Sequence, residues 1–302
     1  MSDIERWIRR DPAGRGILSR SRSMPIEPCA GHLAAAADEL ATQADYVAII
    51  TGFYVPDAST PSAETDGPLG AILLADVLLR LGIETAIVTD QLCRSALRAA
   101  MTACGVEAEL HVSPVDREAS SHWQETFWIS SGQRVTHLIS TERVGPSLHD
   151  ESETALCRNV RGVPIDEWSA DLYRLFEDAP QHVRTIGIGD GGNEIGMGTF
   201  WSEIAASEPP PLSACRTTTD WTILAGVSDW GAMALATSFS LHQSETRPLS
   251  QWTGDRILHG LEQMVRCGPA VDGITLRAES TVDGLPFATY IQPWELMCRR
   301  LG

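Results

Sequence analysis

Residues 182–198 read HVRTIGIGDGGNEIGMG, and the organisation of the chain follows from them. Val183, Ile186 and Ile188 form an apolar run with the character of a buried strand. It ends in a glycine-dense loop carrying Asp190, Asn193 and Glu194, the last two expected to open the following helix. Open α/β sheets bind ligands at such loops, beyond the carboxyl ends of their strands. Gly187, Gly189 and Gly192 also satisfy G-x-G-x-x-G. A dinucleotide fingerprint, however, opens the first βα unit and is followed about 20 residues later by an acid closing a second strand. Here the loop comes late, and Glu208 runs into Pro209, Pro210 and Pro211. A helix N-terminus that cradles phosphate attracts anions, yet Asp190 and Glu194 already bring two carboxylates. The loop therefore suits a cation, an ammonium or a proton transfer; the plainer alternative is a tight turn with Asn193 as N-cap.

Outward from this loop, helical and strand-like segments alternate. Helices are expected over 33–43, 68–81, 91–104, 165–177, 231–240, 249–266 and 286–300, and strands over 46–50, 85–88, 107–112, 135–139, 183–188 and 221–225. Segment 114–131 gives no clear period, and the proline-rich 208–212 is expected to be a surface loop. The alternation implies an α/β fold: a doubly wound, mainly parallel sheet with helices on both faces. No linker or internal repeat divides the chain, so one domain over 1–302 is expected.

If the sheet is parallel, the strand tips share one edge. They and the loops AETDGPLG (63–70), STERVG (140–145) and NVRG (159–162) would bring Glu64, Asp66, Glu142, Arg143, Arg161, Asp190, Asn193 and Glu194 to one crevice, with Ser228 and Asp229 past the last strand. Each has a plainer alternative: an acidic first helical turn for Asp66, a solvated charge pair for Glu142 and Arg143, loop bridging for Arg161, an N-cap for Ser228. His32, His137 and His182 show no metal-ligand spacing, and no G-x-S-x-G elbow supports a hydrolase triad.

The net charge of −17 argues against nucleic acid or an anionic membrane surface as partner. All 23 basic residues are arginine. Without lysine there is no Walker lysine and no Schiff base, and carboxylate binding falls to arginine, whose planar fork suits it. Seven scattered cysteines without C-x-x-C indicate a reducing compartment. No apolar run approaches the roughly 20 residues that span a bilayer. An arginine- and serine-rich start is interrupted by Asp3, Glu5 and Asp11, so a cytoplasmic location is expected.

In these motifs the chain resembles the D-glutamate cyclase family: DPAGRGI, ETDGPLGA with LGIETAIVTD, STERVG with NVRG, TIGIGDGGNEIGMG, TTTDWTILAGVSDWGAMALA, and the pair AVDGIT and STVDGLP occur in order across nearly the whole chain. It departs from the family pattern at STERVG, usually closer to SIERPG, and at Asp229, more often asparagine. The resemblance implies cyclisation of D-glutamate to 5-oxo-D-proline with loss of water. That reaction needs a folded substrate, a base for its ammonium, neutralisation of the γ-carboxyl and a grip on the α-carboxylate. On this reading Asp190 and Glu194 handle the ammonium and proton transfers, and Glu64 or Asp66 supplies a second acid/base group. Arg143 and Arg161 bind carboxylates, and Gly191, Gly192 and Asn193 turn their amides to developing negative charge. Glu142 and Ser228 complete the substrate-binding set. No organic cofactor is implied; Glu64, Asp66, Asp190 and Glu194 could hold Mg²⁺ or Mn²⁺. The partner is a small amino acid, and a homo-oligomer stays open. The alternatives are a non-catalytic amino-acid- or anion-binding domain and a nucleotide-dependent enzyme on a Rossmann-like sheet.

Overall fold

The computed structural model describes residues 3–12, 14, 17–18, 27–150, 156–205 and 209–301; Ala13, Arg15 and Gly16 of the DPAGRGI motif, and Glu208, lie outside them. Six parallel strands form the central sheet: β1 (Tyr46–Thr51), β4 (Glu84–Asp90), β5 (Glu109–Ser113), β6 (His137–Thr141), β7 (Arg184–Gly189) and β8 (Trp221–Leu224). Their spatial order is β5-β4-β1-β6-β7-β8, so the order reverses between β1 and β6. A doubly wound sheet binds its ligand at that reversal. The glycine-rich loop follows β7, one strand removed from it.

Successive strand residues face opposite sides. Val47, Ile49, Ile87, Ile139 and Ile186 pack under α2 (His32–Gln43), α3 (Pro68–Arg80), α4 (Arg94–Cys104), α7 (Ser228–His242) and α8 (Gly254–Cys267). Ala48, Ile50, Ala86, Val88 and Leu138 pack against Phe127 of α5 (Arg117–Ile129) and Leu172, Tyr173, Leu175 and Phe176. Helices α1 (Asp3–Ile8), α6 (Met197–Ile204) and α9 (Gln292–Leu301) complete the shell. α3 is buried at every position from Pro68 to Leu78, a stretch apolar but for Asp76, whose carboxylate is paired with Trp252, Arg80 and Arg256. All seven cysteines are free thiols. Among the described residues no helix is long and apolar enough to cross a membrane.

A long connection between β1 and α3 adds a small second sheet. Hairpin β2 (Tyr54–Val55) and β3 (Ser62–Glu64) takes β9 (Ala270–Val271) as a parallel third strand, Glu64 opposite Val271. A further hairpin, β10 (Thr281–Val282) with β11 (Leu285–Pro286), lies beside it in sequence.

Four expectations need correction. The helix expected over 165–177 is a 3-10 turn at Asp166–Trp168 and a short helix at Arg174–Glu177. Ser169 between them is extended, which lets the Ala170 carbonyl accept from Arg143. The helix expected over 249–266 is split into a short helix at Arg247–Ser250 and α8 from Gly254, where the Thr253 side chain caps the second by accepting from the Arg256 N–H. The closing helix is interrupted at Ile291, between Phe287–Tyr290 and Gln292–Leu301. Residues 114–131, unassigned from periodicity, hold α5, capped by Asp116 accepting from the Ala119 N–H.

His137, at the start of β6, is buried, and desolvation followed by the nearby Arg184 pushes its pKa down to about 4. A histidine depressed on folding contributes stability above its unfolded value, near 6.5, and loses it as the pH falls through about 4. Melting temperature measured between pH 7 and 4 should therefore fall more steeply for the wild type than for His137→Gln.

Candidate active site

At the sheet reversal lies a cavity of about 220 Å³, roofed by the β2–β3 connection and the segment after β9. Its size is below the roughly 300–1,000 Å³ typical of drug-sized ligand sites and suits a small molecule. Glu64, Glu142, Asp190 and Asp283 line it, Phe53, Val55 and Leu276 supply apolar wall, and Arg161 is the only cation among the lining residues.

Two aspartates beside the lining acids tie the starts of α3 and α7 together. Asp66 accepts N–H bonds from Ser228 (2.8 Å) and Asp229 (2.9 Å) at the start of α7, and from Gly67 (2.8 Å). Asp229 in return accepts from Gly67 (3.1 Å) and Gly70 (2.6 Å) at the start of α3, and from the Tyr290 hydroxyl (2.7 Å). Anionic groups are favoured at both helix starts. The Ser228 hydroxyl donates to Glu142 at 2.6 Å. Glu142 has a left-handed backbone (φ 46), and a Cβ on Gly67 (φ 95) would lie 2.5 Å from the Glu142 Cβ, so only glycine allows this approach.

Asp66, Glu142 and Asp190 each offer a carboxylate oxygen, and the three oxygens lie within 4.8 Å of one another. Burial, then Asp283 and Asp229, hold the Asp66 pKa well above the carboxylate range. Burial, then Glu194 and Asp66, do the same for Glu142. Asp229 is pushed up to about 7, chiefly by burial and against the pull of the Gly70 and Tyr290 bonds. A hard divalent ion takes such an all-oxygen donor set and would offset the crowding of like charges. The triad differs from the expected set: Glu142 joins Asp66 and Asp190, while Glu194 is engaged elsewhere.

The glycine-rich loop wraps around the carboxylate of Glu194, which accepts from the backbone N–H groups of Asp190 (3.0 Å), Gly191 (2.6 Å) and Gly192 (2.7 Å). Successive amides of this kind make an anion nest. The nest is filled by the protein's own side chain, so these Gly191 and Gly192 amides do not face the cavity as expected. The helix after the loop starts at Met197 with Gly196 as N-cap, not at Asn193. Asn193 lines the cavity, its amide nitrogen donating to the Arg158 carbonyl (3.0 Å).

The two arginines part company. Arg143 is fully buried; its guanidinium donates to Asp90 (2.7 Å), the Gly52 carbonyl (2.7 Å) and the Ala170 carbonyl (2.7 Å) and does not line the cavity. Arg161 stands at the rim, paired with Asp57 at 2.6 Å. Expectation from sequence missed Asp57, Asp283 and Tyr290. The VDG repeat carried the signal for Asp283: Asp272 accepts from Ile274, Thr275 and Gly284 N–H groups, tying the two VDG turns together beside the cavity. Gly273 packs so closely on Glu64 that a Cβ there would fall 1.7 Å from the carboxylate.

A doubly wound α/β protein with a small, acidic cavity at its sheet reversal is thus defined. The profile of a family described as "D-glutamate cyclase-like, C-terminal" matches residues 4–295, and the chain belongs to that family. It is similar to human "D-glutamate cyclase, mitochondrial", 30% identical over 251 residues, covering 78% of this chain and 38% of the human protein. The chain thus spans well under half the length of that relative.

Removing Arg143 would strand the Asp90 carboxylate in the interior, a loss of about 3–5 kcal/mol. Arg143→Met should show that loss in urea unfolding, which a surface arginine at a ligand site would not.

Proposed function

We propose that the protein is a carbon–oxygen hydro-lyase that cyclises D-glutamate to 5-oxo-D-proline, releasing water. The observation that carries this reading is the polarity of the cavity, which lies in a chain of the D-glutamate cyclase-like family: carboxylates within and one arginine at the rim. The substrate is an α-amino dicarboxylate. Its ammonium suits the acids and one carboxylate suits Arg161.

In the reaction the amine nitrogen attacks the carbon of the γ-carboxyl group, a C–N bond forms there, and the C–O bond from that same carbon to the leaving oxygen breaks. Two protons pass from the ammonium to that oxygen, which departs as water, so atoms and charge balance. Glu64 lines the cavity beside Gly273 and serves as the proton carrier; carboxylates do such work when burial and neighbours tune them. Asp190 receives the ammonium. Asp66, with N–H donors on both oxygens, is a fixed support and not a proton carrier. Asp66, Glu142 and Asp190 would hold a divalent ion, which supplies positive charge to polarise a carboxyl carbon. Apolar wall from Phe53, Val55 and Leu276 limits water around the folded substrate, and holding amine and carboxyl together contributes about 7–11 kcal/mol in the best intramolecular cases.

The decisive experiment is mass-spectrometric detection of water loss from D-glutamate against L-glutamate. Saturable binding without product would instead favour a non-catalytic amino-acid-binding domain. Asp190→Ala should abolish product while melting cooperatively, and Glu64→Gln should lower turnover about 10²- to 10⁴-fold. Adding Mn²⁺ to chelator-treated protein should raise the melting temperature of the wild type and leave Glu142→Gln unmoved; no shift in the wild type would remove the metal from the reading.

A further inference from the structure

Arg161 is the only cation among the residues lining the cavity, yet its guanidinium is already engaged, donating to Asp57 at 2.6 Å. Both partners line the cavity and both are substantially exposed, 57% and 43% at the side chain. An ion pair in that setting is held weakly, so a second carboxylate can replace Asp57 at little cost.

The arginine itself is well placed to stay. Its turn is pinned by the buried Asn159, whose Oδ1 accepts from the N–H groups of Arg161 (3.0 Å) and Val163 (3.1 Å). The same segment is tied to the glycine-rich loop through the Asn193 amide and the Arg158 carbonyl. Asp57 instead sits in the exposed turn that follows β2.

We propose that Asp57 is a built-in competitor of the substrate: in the free protein it occupies the arginine fork that a substrate carboxylate takes on binding, and so weakens carboxylate ligands alike. A ligand must displace Asp57 at the rim and also satisfy the acids within. Any preference for an ammonium comes from those acids and not from Asp57, so ligands with and without the amine should respond alike to its removal. The inference rests on the amino-dicarboxylate reading above, but it is tested by binding and does not need turnover.

Dissociation constants for D-glutamate and for glutarate, which lacks the amine, would be measured by calorimetry on the wild type, Asp57→Asn, Arg161→Gln and the double variant. Freeing the fork from a weak pair should tighten binding of both ligands about two- to five-fold in Asp57→Asn. Arg161→Gln should weaken both, and in that background Asp57→Asn should have no effect, the signature of a shared partner. Unchanged or weaker binding in Asp57→Asn, an equal gain in the Arg161→Gln background, or no binding of either ligand to the wild type would overturn the proposal. D-glutamate binding without water loss would overturn the cyclase reading and leave this one standing.

Discussion

The reciprocal capping of Asp66 and Asp229 is the constraint on which the site depends. Each carboxylate accepts N–H groups at the start of the helix beside the other, so α3 and α7 cannot shift relative to each other without leaving buried N–H groups unpaired. An unsatisfied group of that kind costs about 1–3 kcal/mol. The pair fixes where Ser228 stands, and Ser228 in turn orients Glu142. Asparagine at position 229 retains an acceptor for Gly67 and Gly70 and gains a donor for the Tyr290 oxygen. The bonding scheme would therefore survive an asparagine at position 229, and what aspartate adds is charge.

That charge adds to an unusual concentration of acids. Asp66, Glu142 and Asp229 all have pKa values raised chiefly by burial, with the carboxylate of Asp283 adding to each. Glu194 is buried too, but in a nest of three backbone amides. The contrast separates two jobs: Glu194 shapes a loop, and the remaining carboxylates are held against one another where a cation or an ammonium can relieve them.

Much of this was legible in the sequence, for identifiable reasons. Strands such as 46–51 and 184–189 are short apolar runs closed by glycine or a polar residue, and their shared edge follows once the sheet is parallel. Glu64, Asp190 and Arg161 were placed at the crevice by loop position alone. Arg143 was misplaced because its neighbour Glu142 does face the cavity, and adjacent residues on an irregular turn need not point the same way. The segment 165–177 has helical periodicity, but its backbone carbonyl at Ala170 is needed by a buried guanidinium, and a tertiary demand overrides local preference. Glu194 was legible as an acid in an anion-binding type of loop; that it answers the loop's own demand is visible only in three dimensions.

The small β2–β3–β9 sheet joins a segment near the start of the chain to one near its end, Ala63 opposite Ala270. Contacts of such long sequence separation carry a loop-closure cost and form slowly relative to local ones. The six-stranded sheet can assemble largely from neighbouring units, whereas the roof over the cavity cannot exist until the β9 region has arrived. Binding competence is therefore expected to lag behind secondary structure during refolding, with the acidic floor exposed to water until the roof closes.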